Sequence, residues 1–268
     1  MRHDSHMGLF YDRLTLLGCK VIQIKDLHKS FNGHEVLKGV TLGINKGEIL
    51  VLIGMSGYGK SVLLKHVARL IRPDKGRVLI EGTDIGLLNG KELAGLRKRI
   101  GFLFQGGALF ESMTVFDNIA FSLRERTDLS RDEIREKVLN ELDQVGLAGA
   151  EEKYISQISG GMQKRAALAR ELVWQPEIML FDEPTTGLDP IIGHAILKLI
   201  EDLHRRRNFT GIIVTHEIHR VFKIVQKVAM LHEGVIKALG TPDEILASED
   251  PFVKQFISGD TEGPVSCR

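Results

Sequence analysis

The sequence predicts an α/β fold, with a mostly parallel sheet as its core, an antiparallel β unit, and a helical insertion. Three observations carry this expectation. Short apolar runs, many of them β-branched, recur at residues 49–53, 100–104, 178–181 and 212–214, as buried parallel strands require. The loop Gly54-Met55-Ser56-Gly57-Tyr58-Gly59-Lys60-Ser61 joins the first run to Leu63, Leu64, Val67, Leu70 and Ile71 at helical spacing. Between about 107 and 172 no good strand is found, so a helical unit separates two α/β halves.

The elements follow in order. Apolar runs at 21–27 and 36–44 flank Asn32-Gly33, a tight-hairpin dipeptide. Asn45-Lys46-Gly47 turns the chain into the first buried strand, and Pro73-Asp74-Lys75-Gly76 ends the helix behind it. Residues 77–80 read as a strand closed by Glu81-Gly82, and 92–98 as a helix. Ser130-Arg131-Asp132-Glu133 is a capping box, opening a helix with Ile134, Val138, Leu142 and Val145 on one side. Asp189 caps a further helix with Pro190 at its first position. Residues 228–238 form a hairpin across Glu233-Gly234, and Thr241-Pro242-Asp243-Glu244 caps a last short helix. The tail after Phe256, with Gly259, Gly263 and Pro264, lacks the apolar groups to order alone. Residues 1–19 read as an amino-terminal extension without an assigned role.

Composition limits the function classes. Lys and Arg total 36 against 35 Asp and Glu, a net charge of +1, which argues against a nucleic-acid partner held by bulk charge. The two cysteines, Cys19 and Cys267, make no metal or disulfide framework. No apolar run approaches the roughly 18 residues that span a bilayer, and Leu14-Thr15-Leu16-Leu17 is too short for a signal-peptide core. Any service to a membrane is therefore expected through a partner.

Strand, glycine loop and helix in that order make a triphosphate site. Gly54, Gly57 and Gly59 let backbone N–H groups curl around phosphate, and the helix amino terminus adds donors. Lys60 can reach the β- and γ-phosphates, and the Ser61 hydroxyl can hold Mg²⁺. Phe181-Asp182-Glu183-Pro184 ends another strand at the carboxyl edge, where parallel sheets bind ligands. Alone it would read as a solvated acidic turn. Beside the phosphate loop, Asp182 suits a hold on Mg²⁺ and Glu183 a base for the attacking water. Gln105 offers a neutral amide to metal or γ-phosphate, and His216 ends the 212–214 strand on the same edge. In isolation, both are more often a surface glutamine and a structural histidine. Ser159-Gly160-Gly161 precedes a helix, with Ser159 as cap and the glycines open to close approach by an anion.

Over residues 20–245 these motifs, in this order, resemble the ATP-binding cassette (ABC) ATPases. Gly54–Ser61 is similar to Walker A, Gln105 to the Q-loop, and Ser159-Gly160-Gly161 to the LSGGQ segment. Phe181-Asp182-Glu183 resembles the end of Walker B, Gly187-Leu188-Asp189 the D-loop, and His216 the switch histidine. The resemblance implies a P-loop NTPase with a RecA-like core, an antiparallel β subdomain and a helical subdomain at about 107–172. It implies ATP and Mg²⁺ as cofactors and Glu183, His216 and Lys60 as catalytic residues. Nucleotide contacts would come from Phe31 (stacked on adenine), Gly54, Ser56, Gly57, Tyr58, Gly59, Lys60, Ser61, Val62 and Gln105, and metal contacts from Ser61, Gln105 and Asp182. Ser159, Gly160, Gly161 and Asp189 would meet the nucleotide of a second cassette in a head-to-tail dimer, most simply a homodimer. Met162, Ile158, Val62 and Tyr58 depart from the commonest pattern but leave Lys60, Glu183 and His216 intact.

Phe104-Gln105-Gly106-Gly107-Ala108-Leu109-Phe110, Val115-Phe116-Asp117-Asn118 and the ending Gly263-Pro264-Val265 resemble the Mla-type cassettes that work with Mce proteins in lipid transport. That branch implies a peripheral subunit on the cytoplasmic face of the inner membrane. An MlaE-type permease would dock near residues 104–113, with Mce-domain and STAS-type accessory subunits, and residues 246–268 would form a tail. An importer for another small solute is the alternative. Cassettes acting on DNA carry long coiled coils and those acting on ribosomes usually carry two cassettes; this chain has neither.

Overall fold

A computed structural model describes residues 20–264. The extension 1–19, both cysteines, and Val265 of the Mla-like ending lie outside the described residues. Strands β1 (Lys20–Phe31) and β2 (His34–Asn45) form the expected hairpin. Asn32 and Gly33 both take positive φ, 49° and 79°, as a two-residue turn matching strand twist demands. The chain continues through β3 (Ile49–Ile53), α1 (Lys60–Val67), β4 (Lys75–Ile80) and β5 (Thr83–Asp84). Next come α2 (Gly90–Lys98), β6 (Ile100–Leu103), α3 (Val115–Arg126), α4 (Arg131–Gln144) and α5 (Gly160–Leu172). The remaining elements are β7 (Ile178–Asp182), α6 (Pro190–Arg207), β8 (Thr210–Val214), α7 (Ile218–Val221), β9 (Lys227–His232), β10 (Val235–Gly240), α8 (Pro242–Leu246) and α9 (Pro251–Ser258).

Two sheets result. The antiparallel one has the order β2-β1-β4-β5, and the core sheet the order β10-β9-β3-β8-β7-β6, parallel except for its β9–β10 hairpin. β3 is central, with all five residues buried. Strand alternation splits it between two cores. Leu50 and Leu52 pack with Leu27, Leu37, Leu64 and Val67 under the antiparallel sheet. Ile49, Val51 and Ile53 face Phe181, Ile196, Ile200 and Met230. A third core, with Val115, Ile119, Ile134, Val138 and Leu142, holds the helical unit together. The capping boxes at Ser130 and Thr241 and the Asp189 cap are formed as the sequence predicts.

Three details differ from the sequence expectation. α1 stops at Val67 instead of running to Ile71. Arg69 takes φ 54° and sends its guanidinium to the carbonyls of Ile85 and Gly86, which turns the chain out of the helix and leaves Leu70 47% exposed. β6 ends at Leu103, so Phe104 and Gln105 lie beyond the ladder. α9 has no counterpart in the expected elements, although its signals are present. The Asp250 carboxylate accepts from the amides of Phe252 and Val253, Pro251 is the first helical residue, and both apolar side chains enter the second core. Ile257 and Ser258, expected to begin an unordered tail, are therefore helical, and the Gln255 amide donates to the Asp260 carbonyl.

One buried ion pair joins the helical unit to the core. Arg207, at the end of α6, makes two bonds to the Glu141 carboxylate at 2.8 and 2.9 Å, and Glu141 is 5% exposed in its side chain. Burial pushes the Glu141 carboxyl up, and Arg207 pulls it back down. Removing one partner of such a pair strands the other charge, whereas removing both does not. Arg207→Met should lower unfolding free energy by about 3 kcal/mol, and Arg207→Met with Glu141→Leu should recover most of it. Urea unfolding of the two variants checks this.

Candidate active site

The phosphate loop is shaped by glycines that are needed for different reasons. At Gly54 (φ 147°) a Cβ would lie 2.1 Å from the Leu231 carbonyl oxygen of the neighbouring strand β9. At Gly59 (φ 92°) it would press on Val36 and Leu37 at 2.8 and 3.0 Å. Gly57 (φ 84°) faces open space. Lys60 opens α1, and its ammonium donates to the carbonyls of Gly54 and Met55 at 2.7 and 2.9 Å. Burial pushes the Lys60 amine down, while Glu183 and Asp182 pull it back up. Ser61 Oγ donates to Asp182 Oδ1 at 2.7 Å, closing the loop onto the end of β7. Ser56 is exposed and Val62 half-buried. The Tyr58 ring lies edge-on to His232 at 5.0 Å, and His232 in turn sits 4.0 Å from Phe252 of α9.

Glu183 follows Asp182 and leaves the strand with φ 52°. Its amide still donates to the Val214 carbonyl, so the ladder holds the backbone while the side chain turns out. Its carboxylate makes two contacts, Oε1 with His216 Nδ1 at 3.0 Å and Oε2 with the Thr186 hydroxyl at 3.2 Å. His216 is 60% exposed. The structure thus gathers Lys60, Ser61, Asp182, Glu183 and His216 at one edge of the core sheet. Gln105 stands past the end of β6 with an exposed side chain, its carbonyl held by Lys164. Phe31, 43% exposed, carries the Lys29 ammonium 5.3 Å from its ring centroid. Lys29 is fixed by Asp74, whose carboxyl it holds below the usual range together with the Ser30 amide.

A second cluster forms around the start of α5. Ser159 Oγ accepts from the Met162 amide at 3.3 Å, capping the helix. A Cβ on Gly161 would fall 2.6 Å from Ile192 Cγ2, so the glycine lets α5 sit directly against α6. Asp189 caps α6 by accepting from the Ile191 and Ile192 amides, both at 3.0 Å. Ser159, Gly160 and Asp189 all remain exposed. A cleft of about 240 Å³ opens elsewhere on the helical unit, lined by Met113, Thr114, Asp117, Phe121, Arg124 and Tyr154. The buried Asn118 side chain shapes its rim by bonding the backbone of Phe110 and the Thr114 carbonyl. Thr186, Lys164, His232 and Asn118 were not legible as site residues, because each acts through a contact made only by folding.

A family model described as ABC transporter matches residues 37–186, more than half of the chain. The chain belongs to the ABC transporter family. It is an ATP-hydrolysing cassette. This cassette is 45% identical, over 91% of its length and 70% of the other's, to the probable ribonucleotide transport ATP-binding protein mkl of Mycobacterium leprae. It is 41% identical to the intermembrane phospholipid transport system ATP-binding protein MlaF of Haemophilus influenzae, covering 91% of this chain and 93% of that one. Among solved structures, the dimeric cassette MJ0796 in a post-hydrolysis state bound to ADP and Pi is similar at TM-score 0.76 and 30% identity, over 82% of this chain and 98% of that one.

The glycines of the cassette's phosphate loop separate two costs. Gly57→Ala meets no neighbour and should cost only about 1–2 kcal/mol of left-handed backbone strain. Gly54→Ala must move β9 or the loop, and should cost more than ~2 kcal/mol and abolish ATP binding. Thermal unfolding and titration with a fluorescent ATP analogue distinguish the two.

Proposed function

We propose that this cassette energises an Mla-type phospholipid transporter, moving lipid between inner and outer membranes by ATP hydrolysis. The observation that carries the ATPase chemistry is the paired geometry of Ser61 with Asp182 and of Glu183 with His216. The lipid assignment is supported by the match to MlaF across nearly the whole of that protein. The mkl relative is named for a different cargo, and a cassette does not itself touch cargo.

Mechanism follows from the residues. The Lys60 ammonium exchanges the Gly54 and Met55 carbonyls for β- and γ-phosphate oxygens, so it keeps its hydrogen bonds as ATP enters. Phe31 offers its ring to the base. Gly54, Ser56, Gly57, Tyr58, Gly59, Ser61 and Val62 line the phosphate side with backbone amides. Glu183 accepts the proton of the attacking water, and His216, bonded to Glu183, holds the carboxylate toward the γ-phosphate. The Ser61 hydroxyl, Asp182 carboxylate and Gln105 amide are all hard oxygen donors, which fits Mg²⁺. Mg²⁺ would neutralise charge on the β- and γ-phosphates.

The exposed Ser159, Gly160 and Asp189, with Gly161 buried beside them, form the patch for the nucleotide of a second copy. A two-fold homodimer completes both sites at once, and the dimeric form of MJ0796 supports that arrangement. The ATPase unit runs over 20–245 with its helical part at about 107–172, and 246–268 forms a carboxyl-terminal segment. No helix among the described residues is long and apolar enough to cross a membrane. An MlaE-type permease would hold the cassette at the cytoplasmic face, in company with Mce-domain and STAS-type subunits. Its docking place is the cleft beside residues 104–113, where Phe110 and Phe121 are both partly exposed and meet edge-to-face at 5.2 Å.

Two experiments test this reading. Glu183→Gln should bind MgATP yet hydrolyse it at least about 100-fold more slowly, accumulating the closed dimer, while Lys60→Ala should leave the dimer open. Turnover assays with size-exclusion chromatography show both, and near-normal turnover in Glu183→Gln would remove the base assignment. Phe110→Ala should fold and bind ATP normally but lose co-purification with the permease; unfolding of this variant would instead place Phe110 in the core.

A further inference from the structure

Helix α5 grips the Gln105 loop along one ridge. Lys164, Ala167 and Arg170 are spaced three apart and so lie in one row. The Lys164 ammonium donates to the Gln105 carbonyl. Ala167 lies beneath Gly107, its Cβ only 3.3 Å from where a Gly107 Cβ would be. Arg170 donates to the carbonyls of Gly107 and Ala108 at 3.1 and 2.6 Å. The next residue, Glu171, accepts from the Phe102 amide at 3.3 Å, so the grip continues down into β6.

The held segment is one that would not keep this shape unaided. Gly107 and Ala108 both take positive φ, 72° and 50°, and for Ala108 that conformation is strained. Past the end of β6, the carbonyls of Gln105, Gly107 and Ala108 are each paired to a cation on α5. Lys164 is only 9% exposed, a costly place for a lysine unless its charge is used. Burial pushes its amine down, and the carboxylate that offsets this is Glu183. The ammonium's hydrogen bond is thus to the loop carbonyl, while Glu183 acts on it only through its charge.

We propose that Lys164 and Arg170 are positioning residues that lock the Gln105 loop to the helix carrying Ser159-Gly160-Gly161, so that the two move as one body and set where the Gln105 amide stands over the nucleotide. This rests on the reading of Gln105 as a nucleotide-side ligand. Neither side chain touches the reacting atoms. A small displacement of Gln105 suffices to slow chemistry, because a misplacement of about 1 Å can cost on the order of 100-fold in rate.

The test uses the full chain with Lys164→Met, Lys164→Arg and Arg170→Lys. In the nucleotide-free protein, amide hydrogen exchange at residues 105–108 should rise about tenfold or more in Lys164→Met, with the rest of α5 unchanged. ATP turnover should fall about 10–100-fold in kcat with little change in KM. The Mg²⁺ concentration for half-maximal turnover should rise about tenfold. Lys164→Arg keeps a cation that can reach the carbonyl and should restore all three readouts. Wild-type exchange at 105–108 together with wild-type kcat in Lys164→Met overturns the proposal, as does exchange that rises evenly along α5. If Lys164→Met fails to fold, Arg170→Lys, which can reach only one of two carbonyls, decides by its exchange at 107–108, and no change there overturns the proposal. Should the wild-type chain hydrolyse no ATP, the ATPase reading fails, while the exchange measurement still decides the grip.

Discussion

Val214 pairs with Leu52 on one side and with Asp182 on the other, and the active edge depends on that register. Parallel strands that end level deliver three loops to one place: the phosphate loop after β3, Glu183 after β7, and His216 after β8. The Glu183 amide continues the ladder by donating to the Val214 carbonyl, which turns the carboxylate outward without loosening the strand end. A one-residue slip of β8 would carry His216 away from Glu183 and reverse which core each strand residue faces. Such a slip would exchange residues between two differently packed cores, because every residue of β3, β7 and β8 is buried. The geometry of the candidate site thus rests on buried strands as well as on the polar contacts at the site itself.

Helix α5 is the second constraint, since it belongs to two cores at once. Ala167, Leu168 and Leu172 pack with the central sheet, while Ala166 and Ala169 pack within the helical unit. Its residues are small where backbones approach closely, as at Gly161 beneath Ile192 and Ala167 beneath Gly107. Motion of the helical unit relative to the sheet must therefore pass through this helix or break one of its faces. The Arg207–Glu141 pair limits the same motion from the far end of α6.

Much of the fold was legible because local chemistry and tertiary structure agree. Buried strands with no polar residue, Asn32-Gly33 between two runs, and Ser130 three residues before Glu133 each state their structure locally. The site was legible where a motif joins a loop to a strand end, as with Lys60 and Glu183. What stayed hidden was made by distance. Nothing near Lys164 in sequence says that a carbonyl 59 residues earlier will receive its ammonium. Leu70 continues a helical pattern, but Arg69 finds the carbonyls of Ile85 and Gly86 and the helix ends first. Tyr58 looks oversized for a phosphate loop until His232 and Phe252 supply the wall it rests on.

The central place of β3 also bears on how the chain is made. Its two ladder partners, β8 and β9, begin only at Thr210 and Lys227. At about 5–20 residues per second of synthesis, β3 emerges roughly 10–30 s before either neighbour exists. For that interval an entirely apolar strand has both hydrogen-bonding edges open, the form most prone to pair with the wrong chain. The hairpin of β1 and β2 is complete before then and can cover one face of β3, though neither edge. The strand that anchors the phosphate loop in the finished protein is thus a vulnerable segment of the nascent one, and its protection during synthesis falls to whatever binds emerging apolar chain.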